Sequence, residues 1–434
     1  MKPAPRYPIT ASAACCALGM SRAEILEALY AGRSGLVRTE LGAARSETVA
    51  EPWHEHAART PGSHAARRAD SAHDAELAPG DAAAFVTALG RLPGELPPLP
   101  AAIAWQVGFD TRLGRMAAFV YAGLGEAVTR AVERYGASRV GIVVASSNAG
   151  LAASEYAYAV RDRYGQLPAA YDFERSHAFH SVVELLRVLS GAQGPGFVVS
   201  TACSSGNKVF GSAQRLLAAG VVDAVLVGGI DTLCEITVRG FHSLGILSTQ
   251  PCRPFAQDRD GTNIGEGGAL FLVERGGQAA VELCGVGEGC DAHHKTQPPP
   301  DGAGAVRALH AALADAGLRA GDIDHVNAHG TGTPQNDSAE ARALEAVFGR
   351  YVPVVSTKAA TGHVLGAAAA LEALFVIAAI ERAALPPSLH ADPRDPGVSL
   401  TIPTVARPQP CRYVLSNSFA FGGSNACVIF GASA

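Results

Sequence analysis

The chain carries, at residues 198–206, the stretch Val198-Val199-Ser200-Thr201-Ala202-Cys203-Ser204-Ser205-Gly206. Residues 197–200 are short, apolar and partly β-branched, which predicts a buried strand. Residues 207–219 carry apolar side chains at helical spacing, and Gly220 then supplies a helix stop. The sequence therefore predicts a sharp strand-to-helix turn, with Cys203 at or just before the start of the helix.

This position favours Cys203 as a nucleophile. A free cysteine is more often a small buried packing residue, and an isolated Cys would be interpreted that way. At the start of a helix, however, free amide N–H groups and the helix dipole stabilise an anion. We therefore expect the pKa of the Cys203 thiol to fall below about 8.5, which would raise the thiolate fraction.

Two histidines downstream lie in distinctive runs. His329 lies in Asn327-Ala328-His329-Gly330-Thr331-Gly332-Thr333-Pro334, and His363 ends Ser356-Thr357-Lys358-Ala359-Ala360-Thr361-Gly362-His363. Both follow predicted buried strands or enter turns rich in Gly and Thr, which favours a site over a core role. One thiol with two imidazoles suits carbon–carbon bond formation on thioesters, because the thiol holds an acyl group and the imidazoles stabilise the attacking carbanion.

The pattern of residues around Cys203 recurs about half a chain later. The run Val198 to Cys203 is matched by Val354-Val355-Ser356-Thr357-Lys358-Ala359, and an Ala-rich helix is predicted after each run, the second at roughly residues 365–382. We interpret this echo as two related α/β halves whose matching strand ends supply the catalytic groups. The predicted division is 1–250 and 251–434, with a variable loop region at about 42–110.

The composition is typical of a cytoplasmic enzyme. The chain has 434 residues, 48% apolar and 17% charged, and its net charge of −5 gives no support for nucleic-acid binding. Nine irregularly spaced cysteines argue against a disulfide framework. Residues 11–18 are predicted as a first strand and turn, not a signal peptide. The apolar run 367–380 contains Glu372 and is too short to span a bilayer.

Together these motifs carry a family resemblance over about residues 140–430. The chain resembles the elongating β-ketoacyl-acyl-carrier-protein synthases of the thiolase superfamily. The matching segments, in this order, are residues 200–206, Arg253-Pro254-Phe255 with Asp258-Arg259-Asp260-Gly261, Gly265-Glu266-Gly267, Asp291-Ala292-His293-His294, residues 327–337, residues 356–368 and residues 416–425. The resemblance implies an α/β thiolase-like fold of two duplicated halves in α-β-α-β-α layers.

The resemblance also implies roles for individual residues. Cys203 takes the acyl group from an acyl carrier protein, and His329 and His363 bind the enolate formed when malonyl carrier protein loses carbon dioxide. The oxyanion hole is implied at the N–H groups of Cys203 and Phe421, and Phe421 is also the gating aromatic. The remaining implied residues are Thr331 and Thr333, which bind the phosphopantetheine arm, and Lys358 and Glu372, a supporting charged pair.

Partners and cofactors follow from the same resemblance. We expect no resident cofactor or metal, since the acyl carrier protein brings the phosphopantetheine. The enzyme is expected to be a homodimer or a heterodimer with a non-catalytic chain-length partner, paired through the strand close to 197–201. Two stretches, residues 108–112 and 263–267, resemble the ketosynthases of aryl polyene pigment clusters. The expected basic rim for the acidic carrier has as candidates Arg59, Arg67, Arg68 and Arg112.

Two alternatives to the function of an elongating synthase remain open. A thiolase acting on coenzyme A thioesters would carry a second active-site cysteine near the C-terminus, which the setting of Cys427 does not fit. A chain-length partner without catalysis would lack the nucleophile. A priming ketosynthase would have Asn in place of His363. His293 and His294 are expected to line the cleft. A solvated loop rather than a metal site is predicted for His54, His56, His64 and His73.

Overall fold

A ten-stranded mixed sheet organises the chain. The structure is a computed structural model that describes residues 5–42, 84–103 and 107–433. The strand order in this sheet is β11-β10-β14-β15-β9-β1-β8-β6-β4-β5. Its strands are β1 (Tyr7–Cys16), β4 (Val140–Ala145), β5 (Gly196–Val199), β6 (Ala224–Asp231), β8 (Gly267–Glu274), β9 (Val281–Cys290), β10 (His325–Asn327), β11 (Val354–Val355), β14 (Tyr413–Phe419) and β15 (Ser424–Ala432).

The pairing pattern is the same when it is followed inward from either edge. From β5, two parallel pairings through β4 to β6 precede two antiparallel ones through β8 to β1. From β11, two parallel pairings through β10 to β14 precede two antiparallel ones through β15 to β9. Only Tyr7 and Pro8 pair β1 with β9. The predicted duplication into two α/β halves is confirmed.

The boundary between the halves stays a prediction at residues 250/251. The strand order favours a later division, because β8 pairs with β6 and β1 of the first group. The second group begins only at β9, which starts at Val281.

Two helices form the middle layer between the β layers. They are α7 (Ser205–Ala218) and α12 (Ala368–Arg382), and each contacts strands of both groups. Every residue of α12 from Ala368 to Ile380 is buried, since sheet or helix covers all its sides. The two helices approach closely because their contact residues are small: a Cβ on Gly206 would lie 2.7 Å from the backbone N of Ala370. In the ranges that the structure describes, no helix is long and apolar enough to cross a membrane.

The outer layers consist of shorter helices. α2, α3 and α6 cover the first β layer, and α9 covers the second, with α10 packed on α9. The helices besides the two central ones are α1 (Arg22–Tyr30), α2 (Arg112–Ala122), α3 (Gly125–Tyr135), α4 (Leu151–Tyr164), α5 (Phe173–Ser176), α6 (Ser181–Ser190), α8 (Glu235–Ser243), α9 (Ala303–Ala316), α10 (Pro334–Phe348) and α11 (Lys358–Thr361). The thiolase-like layered architecture expected from the resemblance is confirmed.

Two small sheets complete the described structure. One pairs β2 (Leu36–Leu41), β3 (Phe85–Gly90) and β7 (Ile264–Gly265), and the other pairs β12 (Ala384–Leu385) with β13 (Arg407–Pro408). The predicted variable loop region at about 42–110 therefore contains a strand, β3, which pairs with β2 along its whole length. Residues 43–83 lie outside the described ranges.

The strand before Cys203 is not buried. The sequence predicts a buried strand at residues 197–200, whereas β5 is the edge strand of the sheet and Phe197 is 38% exposed. The apolar composition is correct for a strand but does not distinguish a core strand from an edge that awaits a partner.

Candidate active site

Cys203 lies in a sharp turn between β5 and α7, as the sequence predicts. Ala202 adopts a left-handed conformation with φ of 50°, which turns the chain from the strand into the helix. Three hydrogen bonds, made by two hydroxyl groups, fix this turn. The Ser205 hydroxyl donates to the Ala202 carbonyl at 2.6 Å, the backbone N–H of Thr201 donates to the Ser205 hydroxyl at 2.8 Å, and the Ser418 hydroxyl donates to the Cys203 carbonyl at 2.6 Å. Strand β14 of the second half thus holds the nucleophile of the first.

The two motif histidines come together at the Cys203 thiol. Nε2 of His363 lies 3.0 Å from Sγ of Cys203. The His329 ring stands edge-on to the His363 ring, with centroids 5.3 Å apart and an interplanar angle of 81°. One sulfur and one nitrogen from each ring all lie within 4.8 Å of one another. The duplicated strand ends therefore converge on one buried point.

Burial sets the protonation state of the nucleophile. Desolvation raises the pKa of the Cys203 thiol from 9.0 to about 11, although the Lys358 cation and the N–H groups of Cys203 and Phe421 act to lower that pKa. The expectation of a thiol pKa below about 8.5 is therefore wrong. A helix N-terminus favours the anion, but removal of the thiolate from water costs more at this depth. At neutral pH the resting group is a thiol, which lies in hydrogen-bonding contact with Nε2 of His363.

Both imidazoles are neutral for the same reason. Burial and the nearby Lys358 cation hold the pKa values of His329 and His363 well below 6.5. Nζ of Lys358 donates to Oε1 of Glu372 at 2.5 Å, and the two side chains are only 1% and 4% exposed. This buried pair places a fixed positive charge close to the site. Each neutral ring carries one N–H group, which can donate a hydrogen bond to a developing oxyanion.

Two backbone N–H groups point at the thiol. They belong to Cys203 itself and to Phe421, and both act to lower the thiol pKa. Phe421 lies in a glycine-rich turn in which Gly422 and Gly423 have φ values of 80° and 76°. Its ring stacks on Phe241 of α8, with centroids 5.8 Å apart. The geometry fits an oxyanion hole with an aromatic group above it.

The threonines of the His329 motif lie on the loop that leaves β10. The hydroxyls of Thr331 and Thr333 are 2.9 Å apart. Asp337 is fully buried and accepts from the N–H of Gly332 at 3.2 Å and from that of Phe255 at 2.8 Å. Because these bonds tie the loop to the start of α10, both hydroxyls are held on a rigid support next to His329.

Sequence reasoning missed Glu340. This buried residue accepts from the backbone N–H groups of His329 at 2.8 Å and Gly330 at 2.7 Å, and from Nδ2 of Asn417 at 3.2 Å. Burial raises the pKa of Glu340 to about 7. A signal exists, because Asp337 and Glu340 are three apart on one face of an Ala-rich helix. Two acidic residues on a buried helical face indicate backbone N–H groups opposite.

Other predicted positions lie away from this cluster or outside the described ranges. His293 and His294 are exposed. Arg112 is not an open rim residue: it makes a two-pronged ion pair with the buried carboxylate of Glu266, so its candidacy for the basic rim is wrong. The residues outside the described ranges are Arg59, Arg67, Arg68, His54, His56, His64 and His73.

The same three side chains form the described cluster that could hold a metal ion. One thiolate with two imidazole nitrogens is a ligand set that zinc accepts. An acyl group on Cys203 would use the same sulfur, so a metal ion and an acyl group would compete. The absence of a resident metal remains a prediction.

Comparison with known proteins gives a consistent result. Family models described as the Beta-ketoacyl synthase N-terminal and C-terminal domains match residues 113–279 and 280–392. The chain is 41% identical over 262 residues to the mitochondrial 3-oxoacyl-[acyl-carrier-protein] synthase of Arabidopsis thaliana, a match that covers 55% of this chain and 57% of the relative. It is 38% identical over 257 residues to 3-oxoacyl-[acyl-carrier-protein] synthase 2 of Staphylococcus aureus, over 55% and 64%.

The matched part of the chain thus spans less than two thirds of either curated relative. A solved structure extends the likeness to almost the whole chain. It is the ketosynthase ApeO in complex with its chain length factor ApeC from Xenorhabdus doucetiae. The TM-score is 0.83 at 32% identity, over 99% of this chain and 98% of the other. The chain belongs to the beta-ketoacyl synthase family.

Proposed function

We propose that this protein is a β-ketoacyl-acyl-carrier-protein synthase, which elongates an acyl chain by decarboxylative Claisen condensation. The observation that carries the proposal is the contact of the Cys203 thiol with His363, with His329 edge-on to that ring. A thiol nucleophile, a base beside it and a second neutral imidazole are the groups that acyl transfer followed by condensation requires.

The first step is acyl transfer to the cysteine. Sγ of Cys203 attacks the carbonyl carbon of the acyl thioester while the thiol proton passes to Nε2 of His363. The N–H groups of Cys203 and Phe421 stabilise the oxyanion. Collapse breaks the bond to the phosphopantetheine sulfur, which leaves as a thiol after it takes the proton back. Because the resting thiol pKa is about 11, His363 is needed as the base at neutral pH.

The second step is condensation. Malonyl carrier protein loses carbon dioxide, and the resulting enolate oxygen accepts hydrogen bonds from the neutral rings of His329 and His363. The α-carbon then attacks the acyl carbonyl on Cys203 and displaces the sulfur, which takes up one proton. The product is a β-ketoacyl chain two carbons longer on the carrier. The threonines Thr331 and Thr333 bind the phosphopantetheine arm, and Lys358 with Glu372 supports the histidines. No resident cofactor takes part.

An acyl carrier protein and a second ketosynthase-like chain are the proposed partners. Edge strand β5 supports pairing, since its backbone groups are open on one side. Among the described residues, seven of the thirteen exposed large apolar side chains lie between residues 158 and 197, the stretch of chain that ends in this edge strand, and Phe197 lies on the strand itself. ApeO, described in complex with a chain length factor, supports a heterodimer.

The pathway and compartment are also proposals. The proposed pathway is elongation of a polyene or polyketide chain, and the resemblance of the stretches 108–112 and 263–267 favours the aryl polyene branch. The nine cysteines are all unpaired, which supports a reducing compartment such as the cytoplasm.

The two alternatives have less support. Cys427 is buried in β15, where its thiol donates to Oδ1 of Asn417, and it is not among the clustered groups at Cys203. A thiolase would need such a second thiol at the site. A non-catalytic chain-length partner would lack the nucleophile that this chain has.

Incubation with acyl and malonyl carrier proteins tests the proposal directly. Intact mass should reveal one acyl group on the enzyme, located on the peptide that contains Cys203, and a product extended by two carbons on the carrier. Thiolysis of acetoacetyl coenzyme A without any carrier protein would favour the thiolase instead. Neither acylation nor product, tested alone and with a co-expressed homologue, would contradict the proposed function.

The proposed dimer is tested by one substitution in β5. Phe197→Glu should convert a dimer to a monomer in light scattering, because a charge would then lie at the centre of an apolar contact. Val405→Glu is the control, since Val405 is 70% exposed and lies far from β5 in sequence and outside the sheet. A fully active monomeric wild-type enzyme would exclude the dimer as a requirement.

A further inference from the structure

An ion pair joins the two stretches, residues 108–112 and 263–267, that resemble the aryl polyene ketosynthases. Nε of Arg112 donates to Oε2 of Glu266 at 2.8 Å, and Nη2 of Arg112 donates to Oε1 of the same carboxylate. The Glu266 side chain is 1% exposed and that of Arg112 is 24% exposed. Arg112 is the first residue of α2, whereas Glu266 follows β7. The pair therefore links an outer helix to the interior.

The carboxylate of Glu266 accepts hydrogen bonds from several separate segments of the chain. It also accepts from the backbone N–H of Leu92 at 3.1 Å and from that of Leu233 at 3.4 Å. These donors lie on the loop after β3 and on the loop between β6 and α8. With α2 and β7, four segments converge on one buried charge. Arg112 is the charged hydrogen-bond donor to this carboxylate, and the nearby Arg91 guanidinium also interacts with it electrostatically.

The segment beside Glu266 holds His363 through its backbone. Gly265 donates its N–H to the His363 carbonyl at 3.0 Å, and His363 donates its N–H to the Asn263 carbonyl at 2.7 Å. Ile264 and His363 form a parallel bridge. Oδ1 of Asn263 in turn accepts from the Cys252 N–H at 2.6 Å. His363 is thus an added strand residue on segment 263–266, and its ring position depends on where that segment lies.

His329 is held differently. Its backbone N–H donates to Glu340 on α10, a helix that is remote from segment 263–266 in the chain. A displacement of segment 263–266 would therefore move His363 relative to Cys203 without breaking the hydrogen bonds from His329 and Gly330 to Glu340. Different hydrogen bonds hold the two histidine backbones, and only those of His363 adjoin the Arg112–Glu266 pair.

We propose that Arg112 and Glu266 are positioning residues for His363, acting through segment 263–266 to hold its ring at the Cys203 thiol. The proposal deepens the function proposed above and rests on it for the role of His363. Neither side chain touches the reacting atoms. The pair neutralises a charge that four buried segments share, so its loss would let the segment shift. Displacement of a reacting group by even about 1 Å costs up to about 10²-fold in rate.

The test uses alkylation of Cys203 by iodoacetamide, which needs no knowledge of the natural substrate. The variants are Arg112→Gln, Arg112→Lys and the double variant Arg112→Gln with Glu266→Gln. We expect Arg112→Gln to slow both alkylation and kcat for condensation about tenfold, with KM for malonyl carrier protein nearly unchanged. The double variant should recover most of both rates, because two amides keep a hydrogen bond without a buried unpaired charge.

The same helix offers a matched control. Arg115 also makes a two-pronged ion pair, with Nε 2.6 Å from Oδ1 and Nη2 3.0 Å from Oδ2 of Asp110. Its side chain is 19% exposed, close to that of Arg112. No contact of this pair reaches segment 263–266, so Arg115→Gln should leave the alkylation rate and kcat within about twofold of wild type.

The outcomes separate the two proposals. Arg112→Gln with wild-type alkylation and kcat would overturn the positioning role, whatever the melting temperature does. Equal losses in Arg112→Gln and Arg115→Gln would also overturn it, since a general loss of stability would then suffice. If Arg112→Gln does not fold, Arg112→Lys decides, because Lys keeps the charge but not the two-pronged geometry. A wild-type alkylation rate in that variant overturns the proposal. Slowed alkylation in an enzyme with no condensation activity would uphold the positioning and contradict the function.

Discussion

Sγ of Cys203 lies 3.0 Å from Nε2 of His363, although the two residues are 160 positions apart in the sequence. The contact joins the turn after β5 to the loop after β11, which are the two outer strands of the sheet. The segments that follow these two strands therefore supply the proposed nucleophile and its proposed base.

Replacement of Cys203 should abolish acylation. Cys203→Ala removes the only sulfur of the catalytic cluster, so mass spectrometry after incubation with acyl carrier protein should find no acyl group on its peptide. Cys427→Ala is the control, since Cys427 is equally buried but bonds to Asn417 within the sheet. It should acylate like wild type. Wild-type acylation of Cys203→Ala would remove the basis of the proposed nucleophile.

The two histidines should separate the two steps. His329→Ala is expected to self-acylate but to lose condensation by about 10²–10³-fold, because one donor to the enolate oxygen is lost. His363→Ala should lose condensation to the same extent and also acylate more slowly, since its ring contacts the thiol. Single-turnover acylation and steady-state condensation measure the two steps. If both variants condense within about tenfold of wild type, the roles are wrong.

Removal of only one partner of the Lys358–Glu372 ion pair should destabilise the fold. Lys358→Met leaves the buried Glu372 carboxylate without its cation and should lower the free energy of unfolding by about 3–5 kcal/mol. The double variant Lys358→Met with Glu372→Leu should recover most of that loss, as measured by urea unfolding. The Lys358 cation also lowers the thiol pKa, so slower acylation should persist in the double variant. Full recovery of the acylation rate would show that the charge has no electrostatic role.

Acid should destabilise the fold partly through His325. Burial lowers the pKa of this histidine from 6.5 to about 4, and Nδ1 lies 3.1 Å from the Pro353 carbonyl. Between these two values the unfolded chain binds a proton that the folded chain excludes. The contribution of His325 is thus fully present above pH 6.5 and is lost as the pH falls towards about 4.

The expected size is about 2 kcal/mol between about pH 7 and about pH 5, at 1.4 kcal/mol for each pH unit below 6.5. His325→Gln should reduce the pH dependence of the free energy of unfolding by that amount, whereas His310→Gln, at an exposed position on α9, should not. Denaturant unfolding at the two pH values measures this. Equal slopes for wild type and His325→Gln would contradict the assignment.

Local pattern was enough to predict the elements that carry the site. The strand and helix on either side of Cys203, an Ala-rich helix at roughly 365–382 and the duplicated halves were all expected from apolar spacing and from the Ser-Thr echo. Glu340 escaped because its role lies in accepting backbone N–H groups from another segment, which no local pattern records. The status of Arg112 escaped for a similar reason, since its partner is 154 residues away.

The sequence by itself determined which three reactive side chains meet, namely Cys203, His329 and His363, because each motif combines a reactive side chain with the turn residues that its backbone needs. Only the tertiary structure decided how those groups behave. The thiol pKa rises rather than falls because both halves exclude water from Cys203, and desolvation depends on everything packed around the sulfur. Likewise, β5 is an edge strand because of the sheet order, and strand order is set by pairing between distant segments, which the residues of one strand do not encode.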